Sequence, residues 1–439
     1  MDRYLKFYKT ICETEKISSI KGWLYLLYYP IMKEIDSMLR HIQHGKNISS
    51  YDMELVDEFY YDFCLFDDKL PTIAKKDFLL ILNEADFFVP SPIKEYACGI
   101  EDFKNKRLLI NYHDASPCFS YCGERFQLES SFQPVLISDE EKDIAFRFLM
   151  KQIINCKIVH NDIIAPLKEI LYQYLERASR MFPTISQWIY PLMEHYYGDV
   201  LTDQTLAPGQ CCVNHLLKLS GHKITVLQHQ KNLLLTDLFP ILFLDFHLAD
   251  RYFSWISRDQ LFYNYPYYHF SFPDTIIQRG AIDFKKQSSN FVADKIGFGK
   301  KCLYILTSRD KKFINGTMLD INSIDNIKKD VEVLRELNFE VYIREDPRII
   351  NKLWGNINVD KSSSLIEAID QYDVCFCDRP GGATIVVLER TGFVFIKLDL
   401  QEFKKTQTCK NLLRKQKIVF DCLPVARRKL FDMFNLLYS

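Results

Sequence analysis

The sequence predicts an α/β protein: two parallel-sheet domains facing across a cleft, with an added helical portion at the N-terminus. Three observations predict it. The chain has 439 residues, more than one ordinary core organises, so two domains are expected. From Gly198 short β-branched runs alternate with helical patterns, and the same texture returns after about residue 295. Between them, residues 273–299 carry mixed polar side chains and read as a linker. The chain therefore divides into 1–272, 273–299 and 300–439.

Composition narrows the class. Hydrophobic residues make up 48% and charged residues 26%, as in a water-soluble globular chain. Lys and Arg total 56 against 57 Asp and Glu, so there is no overall field for nucleic acid. Thirteen cysteines, an odd number, form no disulfide framework, and a reducing cytoplasm is expected. His113, Cys118 and Cys122 lack the paired spacing of a zinc site, and neither metal nor cofactor is expected. The stretch MDRYLKFYKTICETEK has charges where a signal peptide needs an apolar core. The most apolar window, Leu233–Leu248, contains Asp237, Pro240 and Asp245 and is short for a membrane span.

Taken in order, residues 1–100 read as largely helical, with Gly22–Leu39 and the acidic Tyr51–Phe66 as helices. Leu108–Tyr112 is a strand. Glu140–Val159 and Ile163–Met181 are helices. Asp199–Thr202 is a short strand, Asp203–Gln210 a polar loop, and Cys211–Leu219 a helix closed by Ser220-Gly221. Lys223–Leu227 (KITVL) is a strand that runs into Gln228-His229-Gln230, and another strand starts near Asp250. In the second domain, Cys302–Leu306, Phe339–Ile343 and Val374–Cys377 are strands. Ser323–Leu337 and Ser364–Tyr372 are helices, the first with apolar residues at helical spacing.

The stretch Asp373–Gly392 (DVCFCDRPGGATIVVLERTG) anchors the second domain. Val374–Cys377 suits a buried parallel strand, Asp378–Gly382 breaks it, and Ala383–Glu389 continues as a helix. A glycine turn at a strand's carboxyl end lets backbone N–H groups approach an anion where a helix begins. The strands before Thr307, Ser308, Arg344 and Gly381 all end on one crevice. Hydroxyls, a guanidinium and a glycine turn together suit a diphosphate or nucleotide. The plainer reading is a turn whose glycines serve only the backbone.

Four pieces, in this order, resemble the GT-B surface-carbohydrate glycosyltransferases of bacteria. They are Thr225–Gln230 (TVLQHQ), Leu248–Trp255 (LADRYFSW), Val341–Arg344 with Pro347, and Asp378-Arg379-Pro380 through Thr384. The group includes transferases related to retaining β-Kdo enzymes and, more distantly, CDP-glycerol glycerophosphotransferases. The resemblance covers about residues 198–400. It implies two Rossmann-like domains and metal-independent transfer of a sugar from a nucleotide-activated, CMP-Kdo-like donor to a bacterial surface polysaccharide or lipid-linked glycan. The donor is then expected among Thr307, Ser308, Arg344, Asp378, Gly381, Gly382, Ala383 and Thr384. Gln228 and Gln230 are expected to touch the sugar, with Asp203, His229, Asp245 and Asp250 as catalytic candidates.

The chain departs from that pattern at Gln230, where the family has Gly, and at Glu345-Asp346 before Pro347. It departs again at Val386-Val387-Leu388, where the family has Glu-Ala-Leu. These departures keep two alternatives open, a nucleotide-sugar epimerase and a non-catalytic, transferase-like interaction protein. Each site residue also has a structural reading. His229 and Asp203 can be a hydrogen-bonded or turn residue at a strand end. Asp250 can cap the turn before its strand, and Arg344 can pair with Glu345 or Asp346. Asp245, in an apolar stretch, needs a partner or a role if buried. The basic residues from Lys404 to Lys429 read as a solvated face, with contact to anionic lipid at the inner membrane surface as the weaker option.

Overall fold

The computed structural model describes residues 2–17, 22–43, 79–82, 94–98, 107–110, 123–128, 133–157, 161–195, 200–203, 208–228, 234–235, 241–266, 273, 275–278, 300–306, 321–336, 338–345, 354–378, 381–392, 394–397, 406–415 and 418–421. The fold is α/β, in two units. The first comprises Met1–His229, Leu238–Arg258 and Tyr267–Arg279. The second comprises Gln230–Asp237, Asp259–Pro266 and Gly280–Ser439. The helix expected over Tyr51–Phe66 and the cluster His113, Cys118 and Cys122 lie outside the described residues.

The first unit opens with helices α1 (Asp2–Ile17) and α2 (Tyr25–Gln43). Strands β1 (Leu79–Leu82), β2 (Lys94–Cys98), β3 (Arg107–Ile110) and β4 (Gly123–Leu128) follow. Next come α3 (Asp139–Asn155) and α4 (Asn161–His195). α3 starts where the sequence dictates. Ser138 Oγ accepts from the Glu141 N–H, and the Glu141 carboxylate accepts from the Ser138 N–H at 2.8 Å, a reciprocal cap.

α4 runs past Met181, the expected end, and through Pro183. An interior proline costs about 3 kcal/mol. Burial of Phe182, Ile185 and Ile189 beyond it offsets that, since each large apolar side chain contributes about 1.5–3 kcal/mol.

The βα alternation of this unit is β5 (Val200–Asp203), α5 (Pro208–Leu219), β6 (Ile224–Leu227), α6 (Ile241–Leu248) and β7 (Arg251–Ser254). β8 (Thr275–Gln278) completes it, while α7 (Arg258–Asn264) belongs to the second unit from Asp259 on. α5 begins at Pro208, whose missing N–H has no helical use at a first position, and ends in Gly221 at φ 97°. Residues 275–278, which the sequence reading assigns to the linker, pair parallel to β7 as the edge strand.

The strand order is β2-β4-β1-β3-β5-β6-β7-β8, antiparallel at β1 and parallel from β3 to β8. From β3 onward each step moves the same way, so right-handed crossovers set α5 and α6 on one face. α2 and α4 pack over α5. Gly22 makes that approach possible. Its φ is 81°, and a Cβ there would stand 2.2 Å from the Leu216 side chain.

The second unit contains β9 (Lys301–Ile305), α8 (Ile321–Glu336), β10 (Glu340–Arg344), β11 (Asn358–Val359) and α9 (Leu365–Gln371). Then come β12 (Val374–Cys377), α10 (Gly382–Thr391), β13 (Val394–Lys397), α11 (Gln407–Arg414) and β14 (Ile418–Asp421). All strand pairs are parallel, in the order β11-β10-β9-β12-β13-β14. That is the doubly wound order 3-2-1-4-5-6, with its reversal between β9 and β12.

β12 is buried along its whole length, as an apolar central strand requires. Tyr304, Phe376 and Phe395 stack across β9, β12 and β13 at 5.3 and 6.3 Å, within a core closed by Ile327, Val331 and Leu334 of α8. Two mid-chain pieces are tied into this unit. Thr406 caps α11 through the Cys409 N–H and also bonds the Leu234 and Leu235 carbonyls. Asn264 Oδ1 accepts from the Thr408 N–H at 2.9 Å.

Candidate functional site

In an open parallel sheet, ligands bind beyond the carboxyl ends of strands where the order reverses. In the second unit that point lies at the ends of β9 and β12. Pairing continues one residue past each strand. The Leu306 N–H donates to Arg344 O at 3.1 Å, and the Asp378 N–H donates to Ile305 O at 3.1 Å. The chain then returns at Gly381, which caps α10 in extended conformation, φ −159°, with no side-chain cap.

Thr384 closes this turn. It is fully buried, and its Oγ1 accepts from the Gly381 N–H at 3.1 Å. Its own N–H donates to Gly381 O at 3.2 Å. The helix itself cannot satisfy the first N–H groups of α10, those of Gly382 and Ala383. A methyl group built on Gly382 meets no atom within 4 Å among the described residues. Gly382 does not adopt a left-handed backbone, so its glycine leaves space over the helix end rather than serving a turn. Beneath lies Cys377, whose thiol burial pushes well above its usual range, against a hydrogen bond with Thr384. The floor of the site is therefore uncharged at Cys377. Asp378 is buried beside it.

Arg344 ends β10 on the same edge, but its guanidinium is already engaged. Nη1 contacts Asp360 Oδ2 at 2.5 Å and donates to Ser362 O at 3.1 Å. Asp360 also accepts from Ser362 Oγ at 2.8 Å and from Tyr372 Oη at 3.0 Å. Burial alone would raise the Asp360 carboxyl. The hydrogen bonds from Ser362, Arg344 and Tyr372 outweigh it and hold the group below the usual carboxylate range. The ion pair that Arg344 makes among the described residues is with Asp360, through Nη1. Glu345 accepts instead from Trp354 Nε1. The sequence signal for Asp360 was weak: an acidic residue ahead of the serine run Ser362–Ser364, which reads only as the cap of α9.

In the first unit, the parallel register of β5 and β6 sets Asp203 opposite Leu227, so Asp203 and Gln228 share the carboxyl edge. The side chain of Asp203 lies outside the described atoms. Gln228 is fully buried, and its Oε1 accepts from Ser254 Oγ at 2.8 Å and the Trp255 N–H at 3.0 Å. The Gln228 side-chain carbonyl ties β6 to β7, joining the TVLQHQ and RYFSW pieces.

Asp250 precedes β7 at the amino edge, where Oδ2 accepts from the Ile224 N–H at 2.8 Å and Oδ1 contacts Lys218 Nζ at 3.2 Å. Ligands of parallel sheets sit at the opposite, carboxyl edge. Asp245 is wholly buried near the middle of α6. His229, Gln230, Thr307 and Ser308 lie outside the described residues. Among the described residues no cluster of His, Cys, Asp and Glu could hold a metal, and no helix is long and apolar enough to cross a membrane. Cys156, Cys211, Cys212, Cys302, Cys375, Cys377 and Cys409 are buried thiols.

Compared with family models, curated proteins and solved structures, the chain gives no match.

Proposed function

We propose that the β9–β12 reversal binds the phosphate of a nucleotide-activated sugar, and that the protein is a metal-independent glycosyltransferase of GT-B type. The observation that carries this reading is a coincidence at one point of the second sheet. The strand order reverses there, a helix without a side-chain cap begins with Gly382, and a Cβ on that glycine would meet no atom within 4 Å among the described residues.

In glycosyl transfer the sugar–phosphate bond breaks and the leaving phosphate gains negative charge. N–H groups at Gly382 and Ala383, with the dipole of α10, stabilise that charge in place of a metal. Thr307 and Ser308, which follow β9, supply hydroxyls to the same phosphate. Arg344 is spent on Asp360, so the helix terminus provides most of the stabilisation. Asp203 and His229 remain the expected catalytic candidates. The acceptor is a surface polysaccharide or a lipid-linked glycan, met at the cytoplasmic face of a membrane.

A second reading is a nucleotide-binding member that has lost transfer. The engagement of Arg344 with Asp360 and of Gln228 with Ser254 supports it, since both side chains are committed to the fold.

A thermal-shift screen with CMP, CDP, UDP and GDP tests the site. At a hundred times Kd the matching nucleotide adds about 2.7 kcal/mol of stability, a shift of several degrees. If none of the four raises the melting temperature, the nucleotide site is rejected. Incubation with the matching sugar donor then separates the activities. Transfer or hydrolysis supports the glycosyltransferase, a released free epimer supports an epimerase, and an intact donor supports the binding-only reading.

A further inference from the structure

Two histidines of the first unit have no part in the nucleotide site, and both close on Tyr8 of α1. His215, on α5, is buried, and its surroundings fix its tautomer. Nδ1 donates to Cys211 O at 2.7 Å, so Nε2 carries the lone pair that accepts from the Tyr8 hydroxyl at 3.0 Å. His247, on α6, stacks on the Tyr8 ring, with centroids 5.0 Å apart and planes 21° from parallel. Tyr25 of α2 stacks on His215 at 4.8 Å, and Phe243 meets both Tyr8 and His247 edge-on. Two imidazoles, one from each of two helices, therefore hold α1 at a single tyrosine.

Among the described residues no carboxylate acts on either ring. The charges that do are cationic: Lys218 of α5 on both, and Lys9 of α1 and His215 itself on His247. The other titratable groups around the pair are Tyr8, Tyr25, Tyr28 and Cys211, all neutral in acid. Acids of the surrounding helices are engaged or set apart. Asp250 pairs with Lys218, and Glu34 of α2 accepts from Tyr174. Asp245 of α6 lies about 200° round the helix from His247. Glu13 and Glu15 follow Tyr8 by about 8 and 11 Å along α1, and Asp36 follows Tyr28 by about 12 Å along α2.

A protonated imidazole has no lone pair. Acid therefore takes from His215 the acceptor for Tyr8, and it sets two like charges on rings that share that tyrosine. Withdrawal of α1 relieves both effects, because Tyr8 covers Nε2 of His215 and one face of His247. Beyond Tyr8, α1 is held by buried Phe7 and Ile11, by Tyr28 Oη donating to Tyr4 O at 3.4 Å, and by Arg3 Nη1 donating to Lys157 O at 2.7 Å. We propose that Tyr8, His215 and His247 form a pH-sensitive clasp that keeps α1 on α5 and α6 near neutrality and releases it in acid. The clasp needs no nucleotide and stands apart from the transferase reading. It is more specific than a general loss of stability in acid, because the opening is confined to one helix.

Burial lowers both histidines to about 4 while α1 is docked. Released, they return toward about 6.5, so the open form takes up protons first as pH falls. At pH 5 this favours release roughly thirtyfold for one histidine and about a thousandfold for both. Hydrogen exchange of the full chain, read by mass spectrometry with and without dilute urea, tests it. From pH 7 to pH 5 the protection factors of α1 amides should fall by between those two figures and be insensitive to urea. Amides of β5 and β6 should stay better protected and respond to urea. His247→Phe keeps the stack and removes one proton site, so the fall should shrink to about thirtyfold. H215Q/H247F should show none. If that double variant melts early, Tyr8→Phe replaces it and should lower α1 protection already at pH 7. Exchange of α1 and β6 at one rate, rising together with urea, overturns the proposal, since the whole unit then opens at once. So does α1 protection that is equal at pH 7 and pH 5, a full fall retained in H215Q/H247F, or parent-like α1 protection in Tyr8→Phe at pH 7.

Discussion

Replacing Arg344 with alanine should weaken the fold of the second unit before it weakens any nucleotide site. The guanidinium contacts Asp360 at 2.5 Å, and the Asp360 side chain is only 2% exposed while that of Arg344 is 18% exposed. Removing the cation leaves a carboxylate out of water with only Ser362 and Tyr372 as donors. Breaking a buried pair from one side costs about 3–5 kcal/mol, and the two remaining donors put this case near the lower figure. For a unit of this size about 3 kcal/mol lowers the melting temperature by roughly 6–12 °C.

Urea denaturation of Arg344→Ala, Asp360→Asn and the double variant closes a cycle. The double variant should lose less than the sum of the singles, because neutral Asn no longer strands a charge. Arg344→Lys should recover only part, since an ammonium loses the guanidinium's fixed fork. Nucleotide affinity of Arg344→Ala, measured well below its melting point, should change little. If Arg344→Ala is as stable as the parent and binds nucleotide at least tenfold more weakly, the reasoning is wrong and the arginine serves the ligand.

Four further outcomes are expected. Gly382→Ala should keep or slightly raise stability, by up to about 1 kcal/mol, because its backbone suits any residue. The same change should reduce nucleotide affinity at least tenfold, read by calorimetry, because the methyl group occupies the space over the helix end. Gln228→Ala strands the Ser254 hydroxyl and the Trp255 N–H, and urea midpoints should report a loss of about 1–3 kcal/mol. Gly22→Ala should cost at least as much, because the new methyl group meets Leu216 at a backbone angle that disfavours it.

The last outcome concerns acid. Burial lowers His215 to about 4, and its neighbours Lys218 and His247 add no negative charge to hold a proton. Its Nδ1 donates to Cys211 O at 2.7 Å, so Nε2 is the acceptor for the Tyr8 hydroxyl at 3.0 Å, and protonation would break that bond. The unfolded chain takes up the proton first, near its ordinary value of about 6.5. Stability should therefore be full above that pH. His215 alone should lose about 3 kcal/mol as pH drops from about 6.5 toward 4, and His247, which burial also lowers to about 4, adds to the fall. His215→Gln should therefore reduce, without abolishing, the slope of denaturation midpoint against pH over that window; an unaltered slope would refute the assignment.

Local chemistry made much of the fold legible in the sequence. The apolar run Val374–Cys377, the β-branched Ile224–Leu227 and the helical spacing of Ile327, Val331 and Leu334 became β12, β6 and α8. Each is written by near neighbours in the chain, through side-chain period and turn residues, so a window of ten residues suffices. Gly221 closed α5 for the same reason.

What the sequence did not contain is pairing at long range. It placed a helix end at Met181, and only the burial of Phe182, Ile185 and Ile189 carries α4 through Pro183. It read Thr275–Gln278 as linker, because an exposed edge strand lacks an apolar signature. It offered Arg344 to a phosphate, and the ion pair with Asp360, sixteen residues away, took that charge. It set Asp250 among the catalytic candidates and Gln228 against the sugar, and each also holds two strands together. The order β11-β10-β9-β12-β13-β14, which turns a glycine pair into a candidate anion site, exists only once six strands have assembled. Residue type and spacing determined the elements. Which charged and polar groups remained available to a ligand was decided by the tertiary structure, because a buried polar group must find its partner wherever the fold brings one.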